Sequence, residues 1–160
     1  MKGAAVAALV PGIALPPADV IPTNQRRVAT NDFVTTLSQE FVLVSGRSVT
    51  VNNGSTAREC VIQFSAEAAN NELGDGVAVA FAIGGSGVRA AACNTSGGPE
   101  FFHLAEEGFE FETHTAVHVR QIGKRTKTVK ACFRFRDVNG SGTGEAALDF
   151  RTLTVECRTQ

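Results

Sequence analysis

Residues 108–120 alternate in type along their whole length, GFEFETHTAVHVR. Phe109, Phe111, Thr113, Thr115, Val117 and Val119 share one parity; Glu110, Glu112, His114, His118 and Arg120 share the other. A period of two over this span predicts a strand with one face in a core and one in water. Phe109, Phe111, Val117 and Val119 are expected inside, the charged parity outside. Shorter runs rich in β-branched and aromatic residues predict strands at 33–37, 41–44, 48–51, 60–68, 101–105, 128–137 and 146–156, with 88–93 a further candidate. Residues 77–83, VAVAFAI, are apolar without a break, as in a strand buried on both sides or packed under a loop.

Turn formers separate these runs: Asn52-Asn53-Gly54, residues 70–76, Gly84-Gly85-Ser86-Gly87, residues 94–99, 123–127 and 139–144. No helical periodicity exceeds a turn or two. The pattern predicts an all-β protein, a single antiparallel β-sandwich of jelly-roll-like form over residues 33–160. Residues 1–32 form an apolar, then Pro-rich, arm or signal segment. A hairpin turn near Lys124 would set Glu112 opposite Arg136, His114 opposite Arg134 and His118 opposite Lys130, an acidic strand end meeting a basic one. Val129, Ala131, Phe133 and Phe135 would then face the core.

Met1-Lys2 and the run GAAVAALVPGIAL resemble a secretory signal, with small residues near Ala14 or Ala18. The run is too short for a transmembrane helix, so no membrane span is expected. The alternative is an apolar arm packed on the domain or on a neighbouring subunit.

A net charge of −1 gives no basic field for nucleic acid. Eleven Phe with no Tyr or Trp lower the prospect of sugar platforms and of interface hot spots that rely on those two residues. Cys60, Cys93, Cys132 and Cys157 contain no CxxC and no Cys/His cluster, which argues against zinc. Two disulfides in an oxidising compartment, or four buried thiols, remain open. Parity turns Cys60 and Cys157 inward and puts Cys132 among Lys130, Arg134 and Arg136; the suggested pairs are Cys60–Cys157 and Cys93–Cys132.

His114 and His118 have the spacing of zinc ligands on a helix. On a straight strand their Cα atoms lie roughly 13 Å apart, too far for both to grip one ion. Glu112 and His114 with the distant His103 are a weak alternative. Asp137, Asn139 and Ser141 resemble the start of a calcium loop, with Gly140 and Gly142 nearby. Position twelve is Leu148, where a bidentate Glu is required, so turn chemistry accounts better for the segment. No nucleophile motif is present, and no phosphate loop. No catalytic residue and no cofactor are expected. Gly123-Lys124-Arg125-Thr126-Lys127 is the one basic cluster, read as a solvated hairpin tip. Asn53, Asn94 and Asn139 open glycosylation sequons.

Residues 60–68 (CVIQFSAEA), 77–85 (VAVAFAIGG), 111–119 (FETHTAVHV) and 151–155 (RTLTV) resemble a group of bacterial proteins of uncharacterised function. That group looks like a jelly-roll sandwich, distantly similar to complement-type globular heads and tumour-necrosis-factor-like modules. The resemblance brings no catalytic residue. Where the group leads one to expect Gly-Thr-His-Thr-Val, this chain has Arg125-Thr126-Lys127-Thr128-Val129.

The expected function is a non-enzymatic interaction module, secreted or at a cell or particle surface, that self-associates or binds a protein or glycan. The N-terminal arm and the loops 84–87, 94–100 and 122–127 are the expected contact regions. The alternative is a structural subunit, a virion decoration protein or filament protomer, assembling through the arm. A metal-dependent lectin or enzyme is the remaining alternative.

Overall fold

A computed structural model describes residues 24–30, 33–44, 48–94, 100–104 and 111–158. Its strands are β1 (Asn24–Thr30), β2 (Val34–Thr36), β3 (Val42–Leu43), β4 (Val49–Asn52), β5 (Arg58–Asn70), β6 (Gly76–Gly84), β7 (Glu100–Leu104), β8 (Glu112–Ile122), β9 (Thr126–Arg136) and β10 (Ala146–Arg158). They form two antiparallel sheets. Sheet A runs β1-β10-β5-β8, with β2 also on β10; sheet B runs β3-β9-β6-β7, with β4 also on β9. The two sheets face each other across one main core, a jelly-roll-like β-sandwich.

Alternation explains the core. Cys60, Ile62, Phe64, Ala66 and Ala68 of β5 and Leu153, Val155 and Cys157 of β10 point inward from sheet A. Val77, Val79 and Phe81 of β6 and Val129, Ala131, Phe133 and Phe135 of β9 meet them from sheet B. The other parity of β6, Ala78, Ala80 and Ala82, is buried too, under Phe41 and the Cys93–Cys132 disulfide. The unbroken apolar run of β6 thus reflects cover on both faces, with small residues on the thinly covered side. That cover is a 3-10 turn at Ala90–Asn94, where the sequence pointed to a strand. Cys60 and Cys157 sit directly opposite each other on β5 and β10 and are bonded.

Three expectations are corrected. First, β1 belongs to the sandwich: its backbone pairs with β10 from Asn24↔Cys157 to Thr30↔Arg151, so the domain begins before residue 33. The Gln-Arg-Arg composition of β1 hides a strand that lies at a sheet edge.

Second, β8 and β9 do not form a hairpin. β8 pairs with β5 in sheet A, while β9 lies in sheet B. The side chain of Asn53, fully buried, donates to the carbonyls of Ile122 and Gly123 (3.0 and 3.1 Å) and pins the link between the strands. Arg125 takes φ 70° there, and its backbone bonds to Gly54 and Asn53 rather than closing a two-strand turn. The acidic and basic strand ends therefore never meet. On β9, Arg134 lies over the Phe41 ring at 4.7 Å, and Lys130 donates to the Val88 carbonyl. Burial of Asn53 also rules it out as a glycan acceptor in the folded chain.

Third, the faces of β8 are the reverse of the expected ones. Ala116 and Ile122 are its buried residues, whereas Val117 and Val119 are 51% and 57% exposed and Phe111 is 39% exposed. Phe109 lies outside the described residues. Period two defines two faces but not which one is inner. β8 is an edge strand, so His114, His118 and Arg120 on its inner parity sit at the sandwich margin, half-buried, where polar ends still reach water. The inner slot beside Phe64 holds only Ala116, and the His118 ring lies over Phe81 at 6.1 Å.

Candidate interaction face

The outer face of sheet A has the features of a contact surface. Along β8, Thr113, Thr115, Val117, Val119 and Gln121 point outward and are all exposed. Register places Val61 beside Val119, Gln63 beside Val117 and Ser65 beside Thr115; the Ser65 and Thr115 hydroxyls are 2.8 Å apart. On β10, Thr152 and Thr154 continue the face.

One residue reaches this face through a backbone irregularity. The β10–β5 register shifts between Asp149 and Thr152, where β10 carries one residue more than β5. Such a bulge reverses the parity of the strand. Leu148 is inward before it; Arg151, 2% exposed, and Leu153 are inward after it. Phe150, in the bulge, takes φ 42° and is 56% exposed, its amide held by its neighbour Asp149 at 2.8 Å. A phenylalanine in the left-handed region is rare and strained, and such strain concentrates at functional positions.

Phe33 and Phe111 close the far end of the face, with ring centroids 6.0 Å apart, edge to face. They come from opposite sides of the sheet, so the ring pair spans β10 and β5. Ala69 and Ala147, paired there and turned outward by parity, are fully buried. Among the described residues, Phe33, Leu37, Leu73, Phe111, Val117, Val119, Val138 and Phe150 are the exposed large hydrophobics. Five of them lie on this one face. Apolar residues gathered this way mark contact surfaces, whereas scattered ones need no explanation.

Of the metal candidates, His114 Nε2 lies 3.2 Å from Glu112 Oε2, two neighbours on one strand parity. His103 is on β7, and its side chain lies outside the described residues. In the 137–145 loop the oxygens close the loop itself: Asp137 accepts from the amides of Gly140 (2.6 Å) and Gly142 (2.9 Å), and Asn139 from that of Ser141 (2.7 Å). Asp75, fully buried, accepts from the amides of Val138 and Asn139 and ties this loop to the 70–76 turn. Among the described residues no three His, Cys, Asp or Glu side chains gather as a metal site. A cleft of about 170 Å³ beside Gln39, Arg134, Phe135, Arg136 and Asp137 is smaller than typical small-molecule pockets, roughly 300 Å³ upward. No helix among the described residues is long and apolar enough to cross a membrane.

Of the expected contact loops, 95–99 lies outside the described residues, as does the arm before Asn24. The 122–127 link is fastened by Asn53, with Lys124 and Arg125 exposed at its tip. The outer face is hidden in the sequence because Val117 and Val119, the apolar residues of β8, read as core. A signal was available: β5 alternates as strictly as β8, and its inner parity is unambiguous.

No family model matches the chain, and no curated protein matches it significantly. The bacterial-group resemblance thus gains no support from them. Among solved structures, the chain is similar to VP2 in the subviral particle of infectious bursal disease virus, with TM-score 0.48 and 11% identity, over 94% of this chain and 42% of that one. A second is the structure of the Gx strain of that virus, TM-score 0.47 and 11% identity, over 93% and 36%. A third is the Eiger TNF from S. frugiperda, TM-score 0.43 and 6% identity, over 87% and 94%. The chain therefore spans less than half the length of the two viral chains. The class of protein its own strands define is a disulfide-bonded, jelly-roll-like β-sandwich.

Proposed function

We propose that the protein is a non-enzymatic interaction module that self-associates through the outer face of sheet A. The observation that carries this is Phe150. Folding alone favours a glycine or asparagine at a left-handed bulge position, because a side chain with Cβ costs about 1–2 kcal/mol there. An exposed phenylalanine stands there against that preference, on the same face as Val117, Val119 and Phe33. Two disulfides support a location in an oxidising compartment, outside the cell or on a particle surface.

Phe150→Gly separates contact from folding. Stability should stay the same or rise by up to about 1 kcal/mol, because relief of the left-handed strain offsets the entropy lost by glycine. Self-association, followed by sedimentation velocity over a concentration series, should weaken. Unchanged association with a well-folded variant would remove the face from the account.

A further inference from the structure

We propose that β8 pairs edge to edge with β8 of a second copy of the chain, antiparallel about a two-fold axis at Ala116. This goes beyond the reading of the outer face, because it uses the backbone edge of the strand rather than its exposed side chains. β8 is the outermost strand of sheet A on the β5 side, and among the described residues no strand pairs with its far edge. Such an edge is a row of backbone donors and acceptors, which folded proteins shorten, kink or guard with charge and proline. The other edges follow that rule. β1 carries the adjacent Arg26 and Arg27, β7 is five residues with a register shift against β6, and β3 and β4 are two and four residues long. The eleven residues of β8 hold no lysine, proline or glycine, and their register with β5 runs from Glu112 to Ile122 without a shift.

What β8 does carry is a charge pattern that an antiparallel copy of itself matches. Its inner parity is Glu112, His114, Ala116, His118 and Arg120, with the acid and the base placed symmetrically about Ala116. Around a two-fold axis there, Glu112 of each copy faces Arg120 of the other, His114 faces His118, and the small Ala116 faces itself. A shift of two residues sets Arg120 against His114 or against a position outside β8, and a shift of one sets inner parity against outer. Among the described residues Arg120, half-buried, makes no ion pair or side-chain hydrogen bond, so the second copy supplies its carboxylate. Glu112 keeps His114 at 3.2 Å beside it.

The outer parity tolerates the same register. Thr113 and Thr115 face Val119 and Val117 of the second copy, so the valines of both copies gather astride the seam, diagonal neighbours lying roughly 7–8 Å apart. The carboxylates of this parity stay back from it. Glu67 and Glu59 stand one strand away on β5, beside Thr113 and Gln121, and Asp149 and Glu156 are a strand further, on β10. The row through Glu67 and Thr113 continues across the seam into Val119 and Val61 of the second copy, not into another acid. The pairing therefore joins two sheets into one without opposing like charges.

The test is made in the full-length Phe150→Gly chain, whose substitution lies on β10, two strands from β8, so that contact through the outer face does not mask the seam. Sedimentation velocity over a concentration series should show a dimer. Glu112→Arg alone and Arg120→Glu alone each bring like charges together twice, and each should raise the dissociation constant at least about tenfold. Mixed in equal amounts, the two variants should dimerise again, because every introduced charge then meets its opposite. Both substitutions in one chain should restore the dimer in the same way. A Phe150→Gly chain that stays monomeric, a single charge variant that dimerises as its parent does, or weakening that neither the mixture nor the double substitution reverses would each overturn the pairing. The outer face fails separately: it falls if Phe150→Gly leaves association as it is in the unaltered chain, whatever the charge variants do.

Discussion

Ala116→Asp is expected to destabilise the fold by about 3–5 kcal/mol, whereas Val117→Asp, one residue away, should cost less than about 1 kcal/mol. Ala116 is 4% exposed and lies beside Phe64 in the β5–β8 register. A carboxyl there is too short to reach water round the edge of the sheet. It must either stay ionised in an apolar slot or be held neutral at neutral pH, at a cost of several kcal/mol. The cost should therefore grow as pH rises through and above the ordinary carboxylate range, and shrink in acid, where the unfolded chain is neutral too. Val117 points to the outer face at 51% exposure, so the same substitution loses only some strand preference. Urea unfolding of the two variants at two pH values decides the matter. The reverse ranking would mean that the more apolar parity of β8 faces inward after all.

The second large effect concerns Cys60 and Cys157, 97 residues apart in sequence. Their strands are already paired residue by residue, so the bond acts mainly by restricting the unfolded chain. Replacing both by alanine should lower the unfolding free energy by about 3–5 kcal/mol. The bond between Cys93 and Cys132, 39 residues apart, closes a shorter loop and should contribute about 3–4 kcal/mol. It has a second, local role: it fastens the Ala90–Asn94 turn over Ala78, Ala80 and Ala82. Denaturant unfolding of the two paired-alanine variants should rank the Cys60–Cys157 loss larger. The opposite order would mean that cover of β6 outweighs chain entropy.

How far the sequence carried these conclusions depended on whether a feature is local. The alternation of β5, β8 and β9 and the unbroken run of β6 locate strands directly, because side-chain parity is a property of the strand alone. The inward direction of β9 was legible from Phe133 and Phe135 among arginines and lysine. That of β8 was not. Its valines and its histidines are both compatible with a strand at the margin, and only pairing with β5 decides between them.

The missing hairpin has a similar origin. A short Gly-Lys-Arg link looks like a reversal, and nothing within it reveals that Asn53, about 70 residues earlier, redirects it. The bulge at Phe150 is silent too, since RTLTV after it alternates as regularly as any strand. Asp137, Asn139 and Ser141 were legible as turn formers. Their partners are backbone amides of the same loop, as turn chemistry leads one to expect. β1 was hidden by its charge, which an edge strand tolerates.

The most direct measurement of the central claim is hydroxyl-radical footprinting of the full-length chain across a concentration series. The account predicts that Phe150, Phe33, Val117 and Val119 become protected as concentration rises, while Leu73 and Val138, on loops at one end of the sandwich, keep their reactivity. Equal oxidation of all six at every concentration, or protection of Leu73 and Val138 alone, would contradict it.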